Sequence, residues 1–258
     1  MNSLERTLLE KSGYDNGWEA TPRYNAANDS VILASVRHDA VAEVSGGAPF
    51  TVRFAEGPTS LPREVARAMN WGDATTFTVP NLSDLSTLLR QAASLAMSLP
   101  RNAEDEYVRR SEKLLKQVEQ TEVERLVRQR VGQDVFREAL LNYWGGACAV
   151  TGIAVPEILR ASHAKPWADC ESNAERLDVF NGLLLCAHLD ALFDRGLIAF
   201  DDDGAMCVSK RIDEETRMKL GLDAGLKTRW LADEHRIYLA WHREKIYVDP
   251  CTDVPEGT

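Results

Sequence analysis

The sequence predicts an α+β fold: a small N-terminal α+β domain over residues 1–100, a helical linker over 101–131, a C-terminal domain built round a ββα unit over 132–249, and a tail at 250–258. Three observations predict it. Short apolar runs with strand-like alternation lie in the first hundred residues, a charged stretch of helical composition follows Pro100, and from Cys148 onward the chain breaks into short strand, loop, strand and helix segments.

The N-terminal elements begin with a short amphipathic segment. "DSVILASVRHDAVAEVSGG" and "PFTVRF" follow, and the "SGGA" between them reads as the turn of a hairpin. "NLSDLSTLLRQAASLAMSLP" offers Asn81 or Ser83 as a helix cap, apolar residues at helical spacing, and Pro100 as a stop. "RNAEDEYVRRSEKLLKQVEQTEVERLVRQRVG" is the helical linker. "QDVFREALLNYWGG" is a helix ended by Gly145 and Gly146, both able to take the left-handed backbone that closes a helix. Next come "CAVTG", an apolar "EILRAS" running into His163, and a polar loop from Asp169 to Asp178. "NGLLLC" is a compact strand and "AHLDALFDRG" a short helix closed by Gly196. No internal repeat or low-complexity tract interrupts this order.

With 258 residues, 44% of them hydrophobic, the chain is long enough to bury a sizeable core. No apolar run approaches the ~20 residues of a membrane helix, and the first residues lack the basic start and apolar middle of a signal peptide. A soluble, cytoplasmic protein without a membrane partner is expected. Cys148, Cys170, Cys186, Cys207 and Cys251 are odd in number and scattered, so free thiols are expected rather than a disulfide framework. A net charge of −10 argues against coating nucleic acid by bulk electrostatics, while leaving room for a local basic groove. Between Glu106 and Glu138, eight Lys and Arg stand against seven Asp and Glu, so that segment is nearly neutral.

Chemistry concentrates after Cys148. On a helix turning by ~100° per residue, Asp190 and Asp194 share one face while Leu189, Leu192 and Phe193 occupy the other. Two carboxylates in successive turns repel, and a divalent cation turns that repulsion into binding. His163 stands upstream, at the end of an apolar run and just before Pro166 and Trp167.

Together, "RVGQDVFREALLNYWGGACAVTG", His163, Asn181 and Asp190 resemble the HNH endonucleases of the His-Me finger (ββα-metal) superfamily, and in particular its predicted restriction endonucleases. The resemblance covers Arg128 to Phe200. It implies a C-terminal ββα-metal nuclease domain, DNA as the partner, and phosphodiester hydrolysis assisted by Mg²⁺ or Mn²⁺. His163 matches the catalytic histidine, a general base at cytoplasmic pH. Asn181 matches the central asparagine, which orients the loop, and Asp190 matches the final metal position. Asp194 falls where some members place another ligand.

Family members often carry an acidic residue or histidine before the catalytic histidine. Ser162 stands there, so the metal is expected to be held either more weakly or more by the helix. Many also hold a structural zinc on two CxxC pairs. Cys148 is followed three residues on by Thr151, and Cys186 by Leu189, so no structural zinc is expected. His188 lies two residues before Asp190, ~200° round a helix, and joins the same metal only if it precedes the regular helix. Otherwise it caps the helix or touches a phosphate.

Arg160, Lys165 and Arg195 flank these positions as candidate DNA-phosphate contacts. His38, His235 and His242 read as ordinary surface or core histidines. The resulting expectation is a metal-dependent DNA endonuclease of bacterial restriction or defence, with the N-terminal domain selecting the target and a possible homodimer for double-strand cleavage. The competing expectation is a nucleic-acid-binding or interaction protein with a degenerate, inactive finger, for which Ser162 and the acidic charge speak.

Overall fold

In the computed structural model, which describes residues 1–71, 75–115 and 121–249, the chain mixes helices and sheets and divides into two compact units, Met1–Glu106 and Tyr107–Thr258. No helix among the described residues is long and apolar enough to cross a membrane.

In the first unit, α1 (Ser3–Asp15) starts at a capping box: Asn2 accepts from the Glu5 amide at 2.9 Å, and Glu5 accepts from the Asn2 amide at 2.8 Å. Five antiparallel strands then form a meander in the order β1 (Arg23–Asn25), β2 (Ser30–Ala34), β3 (Val41–Ser45), β4 (Phe50–Glu56) and β5 (Thr76–Val79). The expected hairpin is the β3–β4 pair, in which Val44 faces Val52 and Ser45 faces Thr51. Alternation decides the burial: Val31, Leu33, Ala42, Val44, Val52, Phe77 and Val79 all point to the covered face. That cover comes from α1, α2 (Leu61–Ala68) and α3 (Leu82–Ser98). Asn81 is the residue that caps α3, accepting from the Asp84 amide at 2.9 Å. Pro100 ends α3 and also opens α4 (Pro100–Leu115), because a proline ring is disruptive inside a helix but preformed for its first turn.

The second unit is organised by α5 (Thr121–Tyr143), which stops where Gly145 and Gly146 turn left-handed. Residues 116–120, within the expected linker, and the tail at 250–258 lie outside the described residues. Strand β6 (Leu159–His163) pairs antiparallel with β7 (Gly182–Cys186), so that His163 faces Gly182. Between them lie the loop after His163, α6 (Asn173–Leu177) and a 3-10 turn at Val179–Asn181. Directly after β7 comes α7 (Ala187–Asp194), completing the ββα unit. A second hairpin, β8 (Ile198–Phe200) with β9 (Met206–Val208), leads to α8 (Glu214–Leu220) and α9 (Asp233–Lys245). The core is built from Phe136, Leu140, Tyr143, Trp144, Leu183, Leu184, Leu185, Leu189, Phe193 and Phe200.

The thiol expectation needs one correction. Cys148, Cys170 and Cys186 are free and buried, but Cys207 is disulfide-bonded. Counting cysteines along the chain does not reveal such a bond. Cys251 lies outside the described residues.

Two glycines are set by close approach. A Cβ on Gly132 of α5 would lie 2.2 Å from the Trp167 ring, and one on Gly182 would lie 2.5 Å from Phe136 Cζ. The Gly182 contact lets the Phe136 ring pass between helix and sheet to reach His163. Gly182→Ala is therefore expected to overpack this seam and cost about 1–3 kcal/mol, the usual range for added methyl groups in a filled core. Scanning calorimetry should show a lower unfolding midpoint. An unchanged midpoint would mean that the seam has slack.

Candidate catalytic site on the ββα unit

His163 ends β6, and its imidazole is stacked against one ring, met by a second at a right angle, and hydrogen-bonded at Nε2. The Phe136 ring stacks on it at 3.7 Å and 14°, and Trp167 meets it edge-on at 5.9 Å and 90°. Its Nε2 lies 2.9 Å from the Arg176 carbonyl oxygen. A carbonyl only accepts, so Nε2 carries the proton and Nδ1 keeps the basic lone pair. Burial pushes the His163 pKa down to about 4, against a smaller upward pull from the Arg176 carbonyl. The ring is thus a neutral base at neutral pH, in a fixed tautomer.

The loop after His163 is fastened by Asn181, which is fully buried. The side-chain oxygen of Asn181 accepts from the Lys165 amide at 2.8 Å, and its Nδ2 donates to the Lys165 carbonyl at 3.2 Å and the Glu175 carbonyl at 3.0 Å. Its own carbonyl accepts from the Ala164 amide at 3.0 Å. One side chain therefore grips the backbone two residues after the histidine from both sides. The guanidinium of Arg176 adds bonds to the Trp167 carbonyl at 3.1 Å and the Cys170 carbonyl at 2.5 Å. The carbonyl that fixes His163 and the guanidinium that folds its loop belong to the same residue.

The carboxylates lie on α7. Asp190 is half-buried and accepts a 2.6 Å hydrogen bond from the buried Ser162 hydroxyl, so the serine before the histidine orients a helix carboxylate. Asp194 lines the cleft that holds His163; partial desolvation, then the neighbouring Asp190 charge, raise its pKa above the ordinary carboxyl value. The helix begins at Ala187, so His188 lies within it, exposed, and two residues from Asp190 on a helix is ~200° away. Among the described residues no group of three or more His, Cys, Asp or Glu side chains forms a metal cluster. A pair of carboxylates whose like charges already strain each other nevertheless suits a hard dication of the Mg²⁺ type, which binds through one or two carboxylates and keeps several waters.

Two clefts open beside His163. One, of about 350 Å³, is lined by Ser162, His163, Trp167, Asp194, His242 and Ile246 among others. The other, of about 300 Å³, is lined on α5 by Arg130, Gln133, Asp134, Phe136 and Arg137. Of the expected phosphate contacts, Lys165 is committed to Glu175, reaching both carboxylate oxygens at 3.1 and 3.0 Å. Arg160 is exposed and bonds the Glu157 and Leu159 carbonyls, both at 2.9 Å, and Arg195 is exposed at the end of α7. The sequence did not single out Arg130 and Arg137, which line the second cleft, or Phe136, which stacks on His163. Their helical spacing to one another is readable in the sequence, but nothing there aims that face at His163. His242, read from the sequence as an ordinary surface or core histidine, is buried as a core histidine would be, and it also lines the first cleft with His163 and Asp194.

Residues 148–201 match the HNH endonuclease family. No curated protein matches the chain. Helices α5 and α9 lie outside the matched segment.

The depressed imidazoles set a pH dependence. His163 and His242 both have pKa values pushed down to about 4 from 6.5, chiefly by burial. Between those values the unfolded chain binds protons that the folded one does not, so stability rises with pH there. The unfolding midpoint is expected to be level above about pH 7 and to fall as pH drops from 6.5 toward 4. Histidine NMR should show two rings still neutral at pH 5. Rings titrating near 6.5 would contradict the burial argument.

Proposed function

From the HNH endonuclease segment at residues 148–201, we propose that the protein is a metal-dependent DNA endonuclease acting in bacterial restriction or defence. The observation that carries this reading is a neutral His163, its tautomer fixed by the Arg176 carbonyl, in one cleft with the Asp194 carboxylate. Nδ1 of His163 takes the proton from the attacking water, and the Asn181 clamp keeps that nitrogen aimed as the phosphodiester enters. Arg130 and Arg137, on the wall of the second cleft beside His163, receive the phosphate oxygens, Arg130 giving up its loose 3.6 Å pair with Asp134 for them; Arg160 and Arg195, both exposed, serve the flanking backbone. HNH nucleases generally use a divalent metal, and here Asp190 and Asp194 are the residues to hold Mg²⁺ or Mn²⁺. When bound, such an ion stabilises the charge that develops on the phosphate and the departing oxygen. His188 serves phosphate rather than metal, since it is turned away from Asp190. The N-terminal residues 1–100 select the target, and pairing of two chains supplies two cuts.

One observation favours a second reading. Ser162 occupies one oxygen of Asp190, leaving that carboxylate less free for a cation. In that case the finger binds nucleic acid without cutting it.

Plasmid cleavage in Mg²⁺ or Mn²⁺ separates the two. Wild type should cut, and His163→Ala should be slower by ~10²–10⁴-fold, the usual contribution of a positioned acid-base group. A wild type that binds DNA and never cuts it establishes the second reading. Among active proteins, Asp190→Asn is expected to raise the metal concentration for half-maximal cleavage most, Asp194→Asn less, and His188→Ala least. Metal titrations of cleavage give the order, and His188→Ala as the worst variant would overturn it.

A further inference from the structure

We infer that His242 is a positioning residue for Asp194, holding the C-terminal end of α7 from α9. The geometry stands by itself, while the purpose of that positioning rests on the nuclease reading. His242 Nε2 donates to the Phe193 carbonyl at 3.0 Å, and the imidazole stacks on the Phe193 ring at 3.8 Å and 6°. The same carbonyl accepts from the Gly196 amide at 2.9 Å, so both lone pairs of the group one residue before Asp194 are taken. Carbonyls at the end of a helix lack intrahelical partners and are where the last turn frays. Here the turn after α7 is closed against the end of α9. Gly196 sits left-handed where a Cβ would lie 2.0 Å from the Ile246 carbonyl oxygen, and the Val248 amide donates to the Gly196 carbonyl at 3.1 Å.

An ordinary core position does not need a histidine. His242 is 2% exposed and its Nδ1 is buried with no hydrogen-bond partner, a cost that a leucine or phenylalanine would avoid. What the imidazole adds is one N–H directed at Phe193 together with a flat ring. Burial lowers its pKa to about 4, so it brings no positive charge to a cleft shared with Asp194. His163 is held by the same pair of contacts, a stacked phenylalanine and a carbonyl at Nε2. In His163 the device aims a base; in His242 it fixes the helix end that bears a carboxylate.

The test uses the full-length protein and His242→Leu, →Gln and →Asn. Glutamine places an N–H where Nε2 stands, asparagine is one carbon too short, and leucine fills the volume without a donor. Mn²⁺ binding is measured by calorimetry and by the metal dependence of plasmid cleavage, with the unfolding midpoint alongside. His242→Leu and His242→Asn are expected to weaken Mn²⁺ binding by roughly tenfold, the scale of lost outer-sphere support, with His242→Gln much closer to wild type. A purely structural role would instead follow the unfolding midpoint and show no glutamine rescue. If His242→Leu does not fold, the Gln and Asn pair decides. Leu and Asn variants that bind Mn²⁺ and cut as wild type does would overturn the positioning role and leave the nuclease reading intact. A wild type that neither binds Mn²⁺ nor cuts DNA would overturn the nuclease reading, and the inference with it.

Discussion

The stack of Phe136 on His163 is the contact on which the second unit depends. It requires a bare Gly182 opposite His163, because a methyl group there would strike the ring, and it requires α5 to cross the β6–β7 pair at that point. In return it desolvates the imidazole, which keeps it neutral, while the Arg176 carbonyl selects its tautomer. A solvated histidine would be partly protonated at neutral pH and free to rotate; this one is neither. Asn181 completes the constraint by replacing the hydrogen bonds the loop backbone would otherwise make to water.

The electrostatics follow from the same packing. The chain is acidic, with a net charge of −10, yet the face of α5 beside His163 presents Arg130 and Arg137. Arg137 also donates to the Leu159 carbonyl at 2.8 Å and the Pro156 carbonyl at 3.2 Å, so part of its fork anchors the start of β6. Lys165 stands closer to the histidine in sequence but is neutralised by Glu175. Arg130 is paired as well, with Asp134, but at 3.6 Å and in the open, whereas the Lys165–Glu175 pair is closer and more buried.

Helix α9 braces both halves of the site although it lies outside the family-matched segment. The Tyr238 hydroxyl donates to Asp178 at 2.9 Å, and Asp178 in turn accepts from the Phe180 amide at 2.9 Å, fixing the turn that carries Asn181. One turn further on, His242 fixes the end of α7. Truncating the protein to the matched segment would remove both supports, along with Phe136 from the other side.

By itself the sequence determined what near neighbours decide. The hairpin turn, the Asn81 cap, the glycine-closed ends of α5 and α7, and the shared helical face of Asp190 and Asp194 all follow from hydrogen bonding and side-chain periodicity over a few residues. His163 and Asn181 were legible because their spacing matches a known pattern of residues. What only the tertiary structure decided are pairings between segments far apart: Phe136 on His163, Ser162 on Asp190, His242 on Phe193, and the disulfide at Cys207. Such contacts are selected by how whole elements pack, and the free energy that selects them is spread over a core of side chains. A local window of sequence contains the helix face of Arg130 and Arg137, but it does not contain the strand against which that face comes to rest.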